Sequence, residues 1–141
     1  MATLKISELS AGDWVRYKGK EYTLASIYMA AEGYPHMVAL TYQGISCGCT
    51  YIDHLEHIPI TAEILEKNGL YRHEIDKDNP QQVVLSNHFM MARTYDDVEW
   101  WRVLIYDEEI PSEELFNGIV YSVHQLQHAF RLAGIDKEIN L

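Results

Sequence analysis

The sequence predicts an α+β protein. Residues 1–60 read as an SH3-like small β-barrel. Residues 61–141 read as a short helix, a three-stranded antiparallel meander and a C-terminal helix packed on the sheet, either as a second domain or as one compact unit with the barrel. Three observations carry this. The first half is a run of short β-rich segments separated by glycine turns, the period changes at Thr61, and an apolar stripe of helical spacing follows residue 121.

The strand signals come in order. Asp13-Trp14-Val15-Arg16-Tyr17 is the first, and Lys18-Gly19-Lys20 reverses the chain, because glycine accepts the positive φ of hairpin turns. Glu21 to Met29 is rich in β-formers, and a loop over 30–35 leads to His36–Thr41. Gln43-Gly44 marks the next turn, Ile45 to Ile52 forms a fourth strand, and Glu56–Ile60 closes the set. Four or five such strands in so short a stretch suggest a bent barrel, since an open sheet leaves edges unpaired.

Thr61 is suited to cap a helix through its side-chain oxygen, with Glu63 favourable in the first turn and Asn68-Gly69 a stop. Leu70 to Ile75 is expected to be extended, and Asp76-Lys77-Asp78-Asn79-Pro80 to be a loop. The meander is expected over Gln82–Leu85, His88–Arg93 and Val98–Tyr106, with turns at Ser86-Asn87 and Tyr95-Asp96-Asp97. Trp101, Val103 and Ile105 alternate with Trp100, Leu104 and Tyr106, so the last strand is expected to be buried on both faces. The final helix spans about Ser122 to Ala133 and stops at Gly134. Val123, Leu126, Phe130 and Ala133 make its apolar stripe, with His124, His128 and Arg131 on the opposite, solvated side.

Composition bounds the rest. A chain of 141 residues with 48% hydrophobic and 23% charged side chains is globular, and at that length needs neither disulfide nor metal to be stable. The N-terminal segment has no signal-peptide pattern, and no stretch is apolar enough to span a membrane. Cys47 and Cys49, one residue apart, read as free thiols of a reducing compartment, so cytoplasm is the expected location. The net charge of −10 divides into −2 over residues 1–60 and −8 over 61–141. Arg16, Lys18 and Lys20 sit among Asp13 and Glu21, so direct nucleic-acid binding is not expected.

The stretch Ile119 to Gly134, with Val123-His124-Gln125-Leu126-Gln127 at its centre, resembles the C-terminal ending of an uncharacterised family of small phage and mobile-element proteins of gut bacteria. Ile58-Pro59-Ile60-Thr61 with Asn68-Gly69-Leu70 resembles that family's capped helix, and Gly12-Asp13-Trp14-Val15 with Gly19-Lys20 and Tyr22 its barrel opening. The chain departs from the pattern in inserting Ser122 before Val123 and in having His128 where the pattern has Asn. The resemblance implies a context and assigns no catalytic residue.

Four places in the chain carry residue types suited to chemistry or binding. Cys47, Cys49, His54 and His57 are the right ligand types for zinc within eleven residues, but one residue between the cysteines gives a strained bite on one strand face. His124 and His128 stand at i and i+4, yet Gln125, Leu126 and Gln127 supply no glutamate base between them. No metal and no cofactor is therefore expected. No nucleophile elbow or phosphate-cradling loop occurs, and the carboxylates Asp107, Glu108, Glu109, Glu113 and Glu114 around Pro111 read as a solvated face. The fourth place is aromatic: Trp14, Tyr17, Tyr22, Tyr28, Tyr34, Tyr42 and Tyr51 crowd the barrel, where rigid rings supply contact area at small entropic cost. The expectation is a non-enzymatic protein-binding or accessory protein of phage-like context whose partner meets these rings or the exposed side of the last helix. An acidic nucleic-acid mimic that inhibits an enzyme, and a metal-dependent enzyme using the histidines, are the alternatives.

Overall fold

The computed structural model describes residues 4–70, 82–86, 88–93, 100–110 and 112–141. The chain is α+β, with two antiparallel four-stranded sheets and two helices. It divides into two compact units, Met1–Ile58 and Pro59–Leu141.

The first unit is a meander of β1 (Trp14–Tyr17), β2 (Lys20–Tyr28), β3 (Met37–Tyr42) and β4 (Ile45–Tyr51), paired in that order. Two-residue turns join β1 to β2 and β3 to β4. Lys18 and Gly19 have φ of 48° and 78°, Gln43 and Gly44 of 52° and 78°, so each turn uses the doubly positive geometry that matches strand twist. Val15, Leu24, Val38 and Leu40 alternate inward and bury against Leu4, Leu9, Ile52 and Leu55. Asp13 fixes the approach to β1, its carboxylate accepting the Ser10 N–H at 2.8 Å.

The sequence predicts closure of this sheet into a barrel. Among the described residues it stays open, and the predicted fifth strand contributes a single bridge, with Arg16 and Glu56 exchanging N–H···O bonds of 3.0 and 2.8 Å. Pro59, which has no N–H for a ladder, already belongs to the second unit and bridges Ser122 within it.

The second unit holds α1 (Ala62–Lys67), then β5 (Gln82–Ser86), β6 (Phe89–Ala92), β7 (Trp101–Tyr106) and β8 (Glu114–Val120) in sequential order, then α2 (Val123–Leu132). Thr61 caps α1 as expected, its hydroxyl accepting the Ile64 N–H at 3.2 Å. Gly69 (φ 68°) stops α1 and Gly134 (φ 71°) stops α2, and in each case the next N–H reaches back to a helical carbonyl at 2.8 Å.

The meander has four strands where three are expected. Its additional strand β8 contains Asn117-Gly118, a pair that reads locally as a turn but is paired here with Leu104 and Val103. A Cβ on Gly118 would lie 2.5 Å from the Phe116 ring, so the missing side chain is what lets that ring fold over the strand. The expected extended segment Leu70–Ile75 beyond Leu70, the loop Asp76–Pro80, the turn at Tyr95-Asp96-Asp97 and the start of the Val98 strand lie outside the described residues.

The expected double burial of β7 is corrected. Trp101, Val103 and Ile105 are fully buried, whereas Arg102 is exposed and Leu104 and Tyr106 are half-buried. The helix covers one face: Phe130 meets Phe89 edge-to-face at 5.3 Å, and Phe89 stands opposite Ile105 in the ladder. The expected solvated side of α2 is corrected too. His124 is fully buried and His128 half-buried, and of the three only Arg131 is exposed. Helical period orders the faces of a helix but does not say how many are covered. Among the described residues, no helix is long and apolar enough to cross a membrane.

Candidate functional site

Register decides which aromatic candidates meet. Residues directly opposite in an antiparallel pair share a face. Tyr17 pairs with Lys20, Val15 with Tyr22, Leu24 with Leu40 and Tyr42 with Ile45. All of these lie on the face that carries the core, and toward the end with the two tight turns the core residues give way to tyrosines. Tyr17 and Tyr22 stand 6.4 Å apart between ring centroids, and Tyr22 and Tyr42 also 6.4 Å. Tyr17 and Tyr22 are half-buried against the core, while Tyr42 is 49% and Ile45 69% exposed. The result is a continuous strip from buried floor to open rim.

The other candidates are elsewhere. Tyr28 and Tyr51 flank Met37 in a cross-strand row on the opposite face, and Trp14 lies on that face in the row with Thr23 and Thr41. Tyr34 projects from the loop between β2 and β3. The irregularity between Leu24 and Ser26 is what divides the set, since one extra residue inverts the alternation along β2.

Two features of the strip have no single-residue signature in the sequence. The first is its charge. Lys18 Nζ stands 5.3 Å from the centre of the Tyr17 ring, and Lys20 is exposed on the same face as Tyr17. Glu21 alternates to the other side, where it pairs with Arg16 at 3.3 Å. The second is a hydroxyl relay. The Thr50 side chain hydrogen-bonds the Tyr17 phenol and stands 3.3 Å from His54 Nδ1. The Thr50 bond lowers the Tyr17 pKa below its ordinary 10.0, burial opposes this, and Lys18 adds to the lowering. The Lys18-Gly19 turn already contains the first signal, because a two-residue hairpin must place Lys20 opposite Tyr17.

The metal candidates are not brought together. Cys47 and Cys49 are free and exposed, and the extra residue in β4 between the Ser46 and Cys49 pairings interrupts the alternation expected to put them on one face. His54 stacks edge-on against Tyr51 at 5.9 Å, and His57 is half-buried. His124 and His128 meet edge-to-face at 6.0 Å. Among the described residues, no three His, Cys, Asp or Glu side chains are grouped to hold an ion. The carboxylate run is partly committed to structure: Asp107 accepts the N–H groups of Glu109 and Ile110 at 2.8 Å each, and Glu108 lies 3.2 Å from His88.

Compared with protein-family models, with curated proteins and with solved structures, the chain matches none of them.

Proposed function

We propose that this chain is a non-enzymatic protein-binding or accessory protein, and that the Tyr17–Tyr22–Tyr42 strip is where its partner docks. The observation that carries the reading is the contiguity of three rings with Ile45 at one end of a sheet, graded from half-buried to exposed. Rings seated on a core are held in place before binding, so a partner gains contact area without ordering them, and rigid aromatics of this kind dominate protein interfaces.

The first unit is proposed as an SH3-like module. Its strand order, the 3-10 turn Ile52–His54 after β4 and the Arg16–Glu56 bridge on the far side of β1 support that reading. The phage-like context rests on the resemblance of the Ile119–Gly134 ending, and a reducing cytoplasm suits two exposed thiols.

The test is affinity capture from host cells with the full chain and with a Tyr22→Ser/Tyr42→Ser variant, followed by titration calorimetry on any captured protein once purified. A partner retained by the parent chain and lost by the variant is the expected result. Equal retention by both would remove the strip from the interface and with it the reason for the assignment.

A further inference from the structure

We infer that the partner segment recognised by the tyrosine strip is an acidic peptide, with its carboxylates at Lys18 and Lys20 and its apolar side chains on Tyr22, Tyr42 and Ile45. This rests on the protein-binding reading above and adds the chemistry of the partner.

The inference follows from where the charges fall. The chain has almost twice as many acidic as basic residues, 21 against 11. The strip reverses that balance. Tyr17 faces Lys20 across the hairpin, Lys18 reaches over the Tyr17 ring, and no residue paired on this face from Val15 to Ile45 carries a carboxylate. Glu21, the nearest acidic residue in β2, is directed to the opposite face and occupied by Arg16. Among the described residues neither lysine forms an ion pair: Lys18 rests on an aromatic face and Lys20 is exposed at the start of β2.

A cation above a ring is set to take a second, anionic partner, because the ring leaves the outward side of the ammonium open. Complementary charge at an otherwise acidic surface both selects an acidic segment and repels the acidic remainder of a misplaced partner. A nucleic acid strand fits less well. It also presents anions and stackable bases, but it extends its phosphates beyond two lysines into the field of a chain with net charge −10. An acidic peptide ends where the lysines end.

The test uses the full chain and three fluorescein-labelled probes: a short peptide alternating Glu or Asp with Leu, the same peptide with Lys at every acidic position, and an oligothymidylate. The acidic peptide should bind, weaken as salt rises, and lose about tenfold or more in affinity with Lys18→Glu/Lys20→Glu, since charge reversal turns attraction into repulsion at both contacts. Both lysines are on the surface, and circular dichroism checks that the variant is folded. A Tyr42→Ser variant should weaken the acidic peptide without changing its salt dependence. Binding of the basic peptide as tightly as the acidic one, indifference to charge reversal, or no binding of the acidic peptide would overturn the acidic assignment. The capture experiment with the tyrosine variant judges the protein-binding reading independently. Tighter binding of the oligothymidylate than of either peptide would overturn the assignment in favour of a nucleic acid.

Discussion

The side chain of Asn68 holds the backbone of Asn140 by two hydrogen bonds: its Nδ2 donates to the Asn140 carbonyl at 2.8 Å, and its Oδ1 accepts the Asn140 N–H at 2.7 Å. The same amide also donates to the Ile64 carbonyl at the end of α1. One buried side chain thus finishes a helix and fastens the C-terminal segment, which buries Ile139 beside it in sequence.

Asn68→Ala should therefore cost about 1–3 kcal/mol in urea unfolding, because it leaves buried backbone groups without partners. Asn68→Asp keeps the acceptor for the Asn140 N–H but loses both donations, so its loss should be of the same kind. Stability unchanged in both variants would mean that the clamp does not form in solution.

Phe130 fills the interval between α2 and the sheet. It is 1% exposed and meets the fully buried Phe89 edge-to-face at 5.3 Å. Phe130→Ala should cost ~3–5 kcal/mol, the range for removing a buried aromatic ring. A loss below about 1 kcal/mol in denaturant unfolding, well short of that range, would mean that α2 does not pack there.

Gly118 and Phe116 offer a pairwise test. A Cβ at 118 falls 2.5 Å from Cζ of Phe116, so Gly118→Ala must move that ring. The substitution should destabilise the parent chain and be nearly neutral once Phe116→Leu has removed the obstructing atoms. A double-mutant cycle by thermal unfolding measures this coupling, and simple additivity would contradict the contact.

These positions show what the sequence reveals. The caps and stops were legible because they are local: Thr61 bonds three residues on, and Gly69 and Gly134 supply a backbone conformation that other residues resist. The tight turns at Lys18-Gly19 and Gln43-Gly44 were legible for the same reason. The grouping of the tyrosines was not. Tyr22 and Tyr28 are an even number of residues apart, which places them on one face of a regular strand, but the bulge at Leu24/Ser26 sends them to opposite faces. His124 misled in another way: it stands opposite the apolar stripe by helical period yet is fully buried, because period does not say how many faces are covered. Strand β8 was hidden because Asn117-Gly118 has turn chemistry, and only the Phe116 ring explains a glycine there.

Cys47 and Cys49 lie on an edge strand, both exposed and neither in a disulfide. Both should react with a disulfide reagent in the folded chain, to the same extent as in denaturant, because access governs modification of ordinary thiols. Adding zinc should not protect them, given that neither His54 nor His57 is grouped with them. Protection by one equivalent of zinc would show that a site assembles in solution.

At Tyr17 the contact with Thr50 gives a pH signature. The hydrogen bond from Thr50 favours the phenolate, and Lys18 favours it further, so Tyr17 ionises below its ordinary 10.0 in the folded state. A group with a depressed folded pKa adds stability as it ionises: the contribution is complete above the unfolded value and disappears as pH falls through the folded one. The effect therefore appears only as pH rises through the folded value and is complete above 10.0. In a titration of the phenolate absorbance, Tyr17 should give an early-ionising step. Thr50→Val removes the larger cause and should move that step upward toward 10.0, whereas Lys18→Gln should move it less. An early step that survives Thr50→Val but vanishes with Lys18→Gln would reverse the order of causes, and it would identify the lysine as the principal neighbour of the Tyr17 hydroxyl.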